Sequence, residues 1–439
     1  MKYEKKLRIR KFLYLLFLIA FFPALQAQEK LSLENAVNMA LKNNFDILVA
    51  NNSASISKEN NTRGNAGMLP TVALFGTGNY SLNNRYQKDT DGTSVNTSSL
   101  NTTSLSAGAE LSWTLFDGGK MFVTKSKLNE IQALGEIQYR DKVLKTLFNV
   151  IGAYYDVVRQ KQQLKSINEA LSYNKERVKI SQAGYNAGSL IKTDLLQAKI
   201  DLNVALESQI NQQFIIVQAM KTLNQLLCIS KDSDFLVTDS IQLNYTPDRN
   251  DLILKLNASN TSILSFQKQI DIANLTVKEF KSGYLPVVDL NAGYYFSQST
   301  NTNASISQSR TVGPQVGGTL VIPLFSAGEN KRKINVARFE SESATLDLKN
   351  IKLQVNILLD NTLTDFENQQ QLLKIETENN ELALENIKIS LERLRLGQTT
   401  SLEVHIAQED FVQSNTRLIN FRYNLKLAET KLKQLVSGL

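Results

Sequence analysis

Two acidic residues occupy corresponding positions shortly after two glycine-marked turns of the sequence. Asp194 follows Gly188 by six residues, and Glu403 follows Gly397 by the same interval. A carboxylate in the first turn of a helix is stabilised by the helix dipole, so both acids can be explained as helix N-terminal residues. Alternatively, the two carboxylates line a narrow passage, where their negative potential would attract cations.

The other chemistry-bearing residues do not predict catalysis. His405 is the single histidine of the chain and is accompanied by neither a cysteine nor a second histidine that could complete a metal site. The sequence offers no Ser/His/Asp constellation and no glycine-rich loop that would hold a phosphate. We therefore expect no enzyme, no catalytic residue, no metal and no cofactor, and a histidine that is satisfied or faces a lumen.

The two acids belong to two copies of one architecture, at about residues 28–229 and 230–439. Each copy runs through a helix, Leu-Pro, two alternating strands, Leu-Phe-x-x-Gly, and a long helical stretch with a glycine-marked turn. Leu69-Pro70 corresponds to Leu285-Pro286, and the segment 115–119 corresponds to the segment 324–328. A repeat of this length indicates a duplicated architecture rather than a solenoid of short units. Long helices joined to short strand pairs are typical of a conduit rather than a catalyst.

Four segments alternate apolar and polar residues with a period of two, which predicts β-strands. The clearest of these segments, Leu105 to Leu115, would form a strand about 36 Å long, which is enough to cross an apolar band of about 25 Å at a tilt. Polar loops are predicted at about 83–103 and 297–310. A soluble β-sandwich is the alternative. Because the smallest known membrane barrels have eight strands, four strands require further copies of the chain, and the strands alone permit a dimer or a larger ring.

Each second strand is followed by about 67 residues without proline, which would form a helix of about 100 Å. Apolar residues along these stretches step by three and four, which is the pattern of a coiled-coil-like seam. The return helices are predicted as stacked pairs, 190–229 with 260–283 and 401–436 with 45–66. These helices do not include residues 28–44 and 230–259, which we predict to form an irregular belt partway along the helical body.

Residues 1–27 predict a secretory signal. A basic start precedes an apolar run from Phe12 to Phe22, which is too short to span a bilayer as a helix, and small residues precede Gln28. The signal holds six of the 49 basic and one of the 42 acidic residues, so the mature chain is nearly neutral. This balance gives no support for a nucleic-acid partner. The single cysteine, Cys228, is expected to be a buried structural thiol.

In order and in duplicate, these features resemble the TolC-like outer-membrane efflux protein family (outer membrane factors), over essentially the whole mature chain. The further markers are short segments near the start of the mature chain and at the first turn: residues 31–36 (LSLENA), 40–44 (ALKNN), 185–188 (YNAG) and 194–198 (DLLQA).

The resemblance implies a mainly α fold with a β-barrel part. Each protomer of a homotrimer would give four transmembrane strands to a twelve-stranded outer-membrane barrel and long helices to a coiled-coil-like helical barrel in the periplasm. The implied function is the exit duct of a tripartite efflux pump or a type I secretion system. The implied partners are a periplasmic adaptor (membrane fusion) protein and an inner-membrane transporter, proton-driven or ATP-driven, with outer-membrane lipid around the barrel.

The resemblance also assigns roles to the turns. It places Asp194 and Glu403 at a periplasmic gate, where the second acidic position of the family corresponds to Ile406, so the acidic ring is single or has moved to Glu409 and Asp410. The family's latch partners correspond to Leu394 and Thr399, which leaves Arg393 and Arg395 as candidate latch residues. The adaptor-facing tip is expected at Ala187, Gly188, Ser189, Gly397, Gln398 and Thr399.

The domain organisation expected from these features assigns residues 1–27 to a signal peptide. Residues 28–45 and 230–259 form an equatorial mixed region, and residues 70–117 and 285–325 form the membrane hairpins. The periplasmic helices occupy residues 46–69, 118–229, 260–284 and 326–436. The alternative function is a secreted structural assembly of the coiled-coil or filament type.

Overall fold

A computed structural model of the chain describes residues 30–229, 236–237, 240–302 and 306–439. The predicted signal peptide lies outside the described residues. The elements follow one another along the chain as β1 (Lys30–Leu31), α1 (Leu33–Asn43), α2 (Phe45–Asn60), β2 (Thr71–Lys88), β3 (Ser94–Asp117), α3 (Lys120–Asn186), α4 (Lys192–Leu227), β4 (Leu236–Val237), α5 (Arg249–Ser259), α6 (Thr261–Lys281), β5 (Val287–Asn301), β6 (Gln308–Val321), α7 (Glu329–Arg395) and α8 (Ser401–Leu435).

The described residues form two compact units. The strand unit comprises residues 49–142 and 254–357, and the helical unit comprises the described residues up to 48 together with 143–253 and 358–439. No helix among the described residues is both long enough and apolar enough to cross a bilayer.

The strand unit contains a four-stranded antiparallel sheet in the order β2-β3-β5-β6. Because side chains alternate between the two faces of a strand, the register collects apolar residues on one face. Three rows across the sheet carry this face: Val72, Leu111, Ala292 and Val316; Leu74, Ala109, Tyr294 and Pro314; and Gly76, Ala107, Phe296 and Val312. The two rows between them belong to the other face and contain Ala73, Glu110, Gly293 and Gln315, and Phe75, Gly108, Tyr295 and Gly313.

The hairpins are longer than the sequence predicted. The first predicted loop, 83–103, is mostly strand, because β2 continues to Lys88 and β3 begins at Ser94. β5 likewise continues to Asn301 and β6 begins at Gln308, within the second predicted loop. The Asn, Ser and Thr residues that suggested loops here pair across the strands, as when Thr102 Oγ1 donates to Asn301 Oδ1 at 2.8 Å.

A glycine pair joins β3 to α3. Gly118 has φ +71°, and a Cβ there would lie 2.6 Å from the carbonyl oxygen of Ser282 and 2.6 Å from Cβ of Leu285. The backbone N–H of Met121 donates to Asp117 Oδ1 at 3.0 Å, so Asp117 caps the new helix. The Asp-Gly-Gly sequence therefore provides both the sharp bend and the helix start that it predicted.

In the helical unit, α3 and α4 pack with α1 and the short parallel pair β1–β4 around a buried core. Tyr154 is fully buried within this core, and its hydroxyl donates to the carbonyl oxygen of Leu31 at 2.9 Å. Asn44 caps α2 through Oδ1, and its Nδ2 donates to the carbonyl oxygen of Leu226 at 2.8 Å. Most of the described part of the predicted irregular belt is helical, because residues 33–43 form α1 and residues 249–259 form α5. Residues 28–29, 230–235 and 238–239 of that belt lie outside the described residues.

Each long proline-free stretch is one helix, and α3 and α7 both contain 67 residues. The prediction for Cys228 is wrong. Cys228 caps the end of α4 in a left-handed conformation, φ 51°, and the residue is partly exposed rather than buried.

Candidate functional site

The two glycine-marked turns close in the same way. Gly188 and Gly397 have φ +77° and +71°, a backbone conformation that residues other than glycine rarely adopt. After Gly188 the N–H of Ser189 donates to the carbonyl oxygen of Gly184 at 2.9 Å, and after Gly397 the N–H of Gln398 donates to that of Arg393 at 2.8 Å. Each of these two hydrogen bonds is the backbone closure that ends a helix at a left-handed glycine.

The second turn carries additional side-chain contacts. The guanidinium of Arg393 donates to the carbonyl oxygen of Gln398 at 3.1 Å, which stiffens the turn. Thr400 caps α8 by accepting the N–H of Glu403 at 3.2 Å, and the hydroxyl of Thr399 donates to the Glu403 carboxylate. Glu403 is exposed, in the first turn of α8.

Asp194 lies half-buried in the first turn of α4. Among the described contacts, neither candidate latch arginine binds it. Arg395 instead donates to Glu176 of α3 at 2.8 Å and to Glu392 of its own helix at 3.0 Å. The Arg395 guanidinium holds the pKa of the Glu176 carboxyl below its usual range. Arg395 therefore ties the end of α7 to α3.

A second ionic network lies deeper in the helical unit, and sequence analysis did not identify it. Arg177 of α3 is fully buried and binds the carboxylate of Asp201 in α4. The same carboxylate faces Nδ1 of His405 in α8 at 3.1 Å, and Gln197 donates to its other oxygen at 2.8 Å. Nε2 of His405 lies 3.6 Å from the Glu409 carboxylate. Asp201 thus joins three helices.

Apolar packing positions this network. The start of α8 and the end of α7 share a core of Val404, Ala407 and Phe411 with three residues of α7, Ile387, Leu391 and Leu394. Tyr173 of α3 packs edge-on against Phe411, with ring centroids 5.9 Å apart. Since Arg177 lies one helical turn beyond Tyr173, this core fixes the buried guanidinium opposite Asp201.

A partly open groove of about 350 Å³ lies beside the network. Its lining includes Asn174, Asp201, Val204, His405 and Gln408, from α3, α4 and α8. The described residues contain no cluster of three or more His, Cys, Asp or Glu side chains suited to a metal ion. The arrangement can hold the three helices together by charge and by hydrogen bonds.

Comparison with known proteins identifies the family. The family model described as outer membrane efflux protein matches residues 36–228 and 252–438. The chain belongs to the outer membrane efflux protein family. Both copies of the internal repeat are included in the match.

Individual relatives agree over nearly the whole chain. The outer membrane efflux protein BepC of Brucella suis is 22% identical over 413 residues, which cover 93% of this chain and 85% of BepC. The outer membrane protein TolC of Vibrio cholerae is 21% identical over 420 residues, which cover 93% of this chain and 91% of TolC. The crystal structure of the Campylobacter jejuni CmeC outer membrane channel matches with a TM-score of 0.76 at 17% identity, covering 92% of this chain and 85% of CmeC.

These findings confirm the main sequence predictions. The family resemblance, the mainly helical fold with a four-stranded antiparallel sheet, and the location in the outer membrane with extension into the periplasm are all confirmed. The prediction that the protein is not an enzyme is also confirmed, because the family and its relatives are outer-membrane efflux and channel proteins.

Proposed function

We propose that this member of the outer membrane efflux protein family is the exit duct of a tripartite efflux pump or a type I secretion system. Three copies form a passive channel, and a periplasmic adaptor protein opens its tip. An inner-membrane transporter, driven by protons or by ATP, supplies the energy. The observation that carries this proposal is the four-stranded sheet, which has an uncovered apolar face and two open edges.

The open edges favour closure with further copies. Within the described chain, β2 and β6 each pair along one side only. A bilayer provides no water to satisfy the free backbone groups of an edge, so strands that cross it must form a closed barrel. Four strands are fewer than any known barrel uses, whereas three copies supply about twelve.

The apolar face favours contact with lipid. Leu74 and Val316, at opposite edges of the sheet, are 85% and 76% exposed. Including Leu290 and Trp113, four successive rows of this face extend about 20 Å along the strands, close to the height of the apolar band of membrane barrels. A β-sandwich would need a second sheet over this face, and the other described sheet has only two residues in each strand.

An exposed seam on α7 favours helix packing between copies. In the helical unit, Ile375, Leu382, Ile389 and Leu396 recur every seven residues and are 50–68% exposed. Apolar residues with this spacing form one stripe along a helix, which is the pattern of a coiled-coil interface. Because the stripe is not covered by its own chain, it is available to a neighbouring copy.

The proposal assigns the segments as follows. Residues 70–117 and 285–325 form the outer-membrane hairpins, residues 28–45 and 230–259 the equatorial region, and the remaining helices the periplasmic barrel. The turns at Gly188 and Gly397 form the adaptor-facing tip. There Glu403, repeated by threefold symmetry, forms an acidic ring that concentrates negative potential on the axis, with Asp194 nearby in the gate.

Planar-bilayer conductance of the purified full-length protein tests this function. We expect discrete, cation-selective channels, and we expect Glu403→Ala to lower the cation preference. Glu385→Ala removes the same charge from the exposed surface of α7 and should leave selectivity unchanged. A protein that neither conducts nor sediments with the outer membrane would contradict the duct, and unchanged selectivity of Glu403→Ala would contradict the acidic ring.

Membrane fractionation separates the duct from the filament alternative. A duct sediments with the outer membrane and requires detergent for extraction. A secreted coiled-coil filament would be recovered without detergent.

A further inference from the structure

We propose that a basic pocket of the helical unit binds an amphipathic organic anion, with a phosphate or carboxylate head on an apolar body. The pocket is a partly open cavity of about 450 Å³ between α3, α7 and α8. It shares no lining residue with the groove beside Asp201. The inference goes beyond the proposed duct, because it requires neither conductance nor a trimer.

Three cationic side chains line the basic pocket from two helices. Lys161 and Lys165 come from α3, and Arg422 comes from α8. Lys161 and Arg422 are half-buried, whereas Lys165 is exposed. Within the part of the chain that the structure describes, none of the three makes an ion pair or a side-chain hydrogen bond. Glu169 is the one carboxylate in the described lining, so the pocket carries net positive charge.

The positions of these cations favour a bound anion. Residues four apart lie on the same side of a helix, so the charges of Lys161 and Lys165 repel each other. Arg422 adds a third positive charge from a facing helix. In a concave site with protein walls, charges of one sign reinforce one another and attract ions of the opposite sign. An anion in the pocket would offset the repulsion and accept charge-assisted hydrogen bonds.

One wall of the basic pocket is apolar. Leu384 of α7 lines it together with Phe411 and Ile419 of α8. Leu384 is half-buried and packs against the core that contains Phe411, so this wall is in place before a ligand arrives. The methylene stems of the lysines add apolar surface at the rim. An anion with an apolar body would remove this surface from water, which a bare inorganic anion would not do.

Neutral hydrogen-bond donors complete the lining. Asn415 Nδ2 donates to Ser166 Oγ at 2.8 Å, which leaves the Ser166 hydroxyl hydrogen available to another acceptor. In the described structure, Nδ2 of Asn380 is buried and has no acceptor. A buried donor without a partner is costly, so a side-chain rotation toward a bound head group would be favourable. The polar part of the lining therefore suits an acceptor-rich head.

A second lysine pair on α3 provides a matched comparison. Lys175 and Lys179 have the same spacing as Lys161 and Lys165, but both are exposed and lie outside the lining of the basic pocket. Lys179 also has a carboxylate nearby, since its Nζ lies 3.6 Å from Glu176. These two lysines are ordinary solvated surface charges, and their removal should not affect a ligand in the pocket.

Isothermal titration calorimetry of the full-length protein in nanodiscs of zwitterionic lipid tests the site, with empty nanodiscs as the blank. Phenyl phosphate and benzoate present the two head groups on one ring, phenol presents the ring without a charge at pH 7, and inorganic phosphate presents a head without a body. We expect at least one ring anion to bind. Phenol and inorganic phosphate should each bind about tenfold more weakly or worse.

Charge removal locates the binding. A partly exposed charge is expected to contribute about threefold to affinity, so Lys161→Gln with Lys165→Gln should weaken the tighter ring anion about tenfold. Arg422→Gln, on the facing helix, should weaken it about threefold. Lys175→Gln with Lys179→Gln should retain the wild-type affinity. The helical circular dichroism signal of each variant confirms that it is folded.

Several results would overturn the proposal. These are no saturable binding of either ring anion, wild-type affinity in Lys161→Gln with Lys165→Gln, or an equal loss in the Lys175→Gln with Lys179→Gln control. Phenol binding as tightly as the ring anions would contradict the role of the cations, and inorganic phosphate binding as tightly would contradict the apolar body. None of these results bears on the duct, which conductance and fractionation test separately.

Discussion

The buried Arg177–Asp201 pair allows a sharp test of how the helical unit is held together. Asp201→Asn removes the negative charge and leaves the guanidinium of Arg177, with a 1% exposed side chain, uncompensated. Breaking a buried ion pair in this way costs about 3–5 kcal/mol. Arg177→Met removes the positive partner but leaves Asp201 with Gln197 and His405, at 2.8 and 3.1 Å, so we expect a smaller cost of about 1–3 kcal/mol.

The double variant Arg177→Met/Asp201→Asn tests whether the loss of stability comes from an uncompensated buried charge. It leaves no charge without a partner in the buried pair, and replacing such pairs by neutral groups is often close to neutral for stability. We therefore expect the double variant to be more stable than Asp201→Asn alone by about 2 kcal/mol or more. The assay is the thermal midpoint of the helical circular dichroism signal of the purified protein. A double variant no more stable than Asp201→Asn would refute the argument that the cost arises from an uncompensated buried charge.

Two further predictions concern the seam and the strand-to-helix joint. Leu382→Asn with Ile389→Asn should shift the assembly toward monomers in native mass spectrometry. The reason is that each substitution would lose about 2 kcal/mol of apolar burial at the interface between copies. The control, Glu381→Asn with Lys388→Asn on the neighbouring face of the helix, should not cause this shift. Gly118→Ala should cost about 2–5 kcal/mol, because it combines a positive φ with a Cβ 2.6 Å from Ser282 and Leu285. Gly119→Ala has the same backbone problem but open space, so its thermal midpoint should fall less; equal losses would contradict the close-contact argument.

Much of the fold could be predicted from the sequence because local signals and the repeat agree. The absence of proline in two long stretches, with apolar residues stepping by three and four, predicted α3 and α7. Alternation predicted the apolar strand segments, but it failed where the same strands continue through Asn, Ser and Thr. Polar strand residues and loop residues have similar composition, and the cross-strand pairs that distinguish them are long-range.

The turns were predictable and the network was not. Glycine in a left-handed conformation is a local requirement, so Gly188 and Gly397 could be recognised from the sequence alone. Arg177 and Asp201 are typical surface residues by type, and only the packing of α3, α4 and α8 buries them together. One signal was available, because Arg177 falls on the same helical stripe as the buried residues Asn174 and Ser181.

Disulfide cross-linking between the open sheet edges tests the central claim most directly. In a Cys228→Ser background, cysteine at Leu74 of β2 would be combined in turn with cysteine at Val312, Val316 or Leu320 of β6, all on the apolar face, and oxidised in outer membranes. We predict that at least one pair gives linked species of two and three chains and none larger, because three sheets close into one barrel. Unlinked chains in every combination, or ladders that extend beyond three, would contradict the trimeric duct.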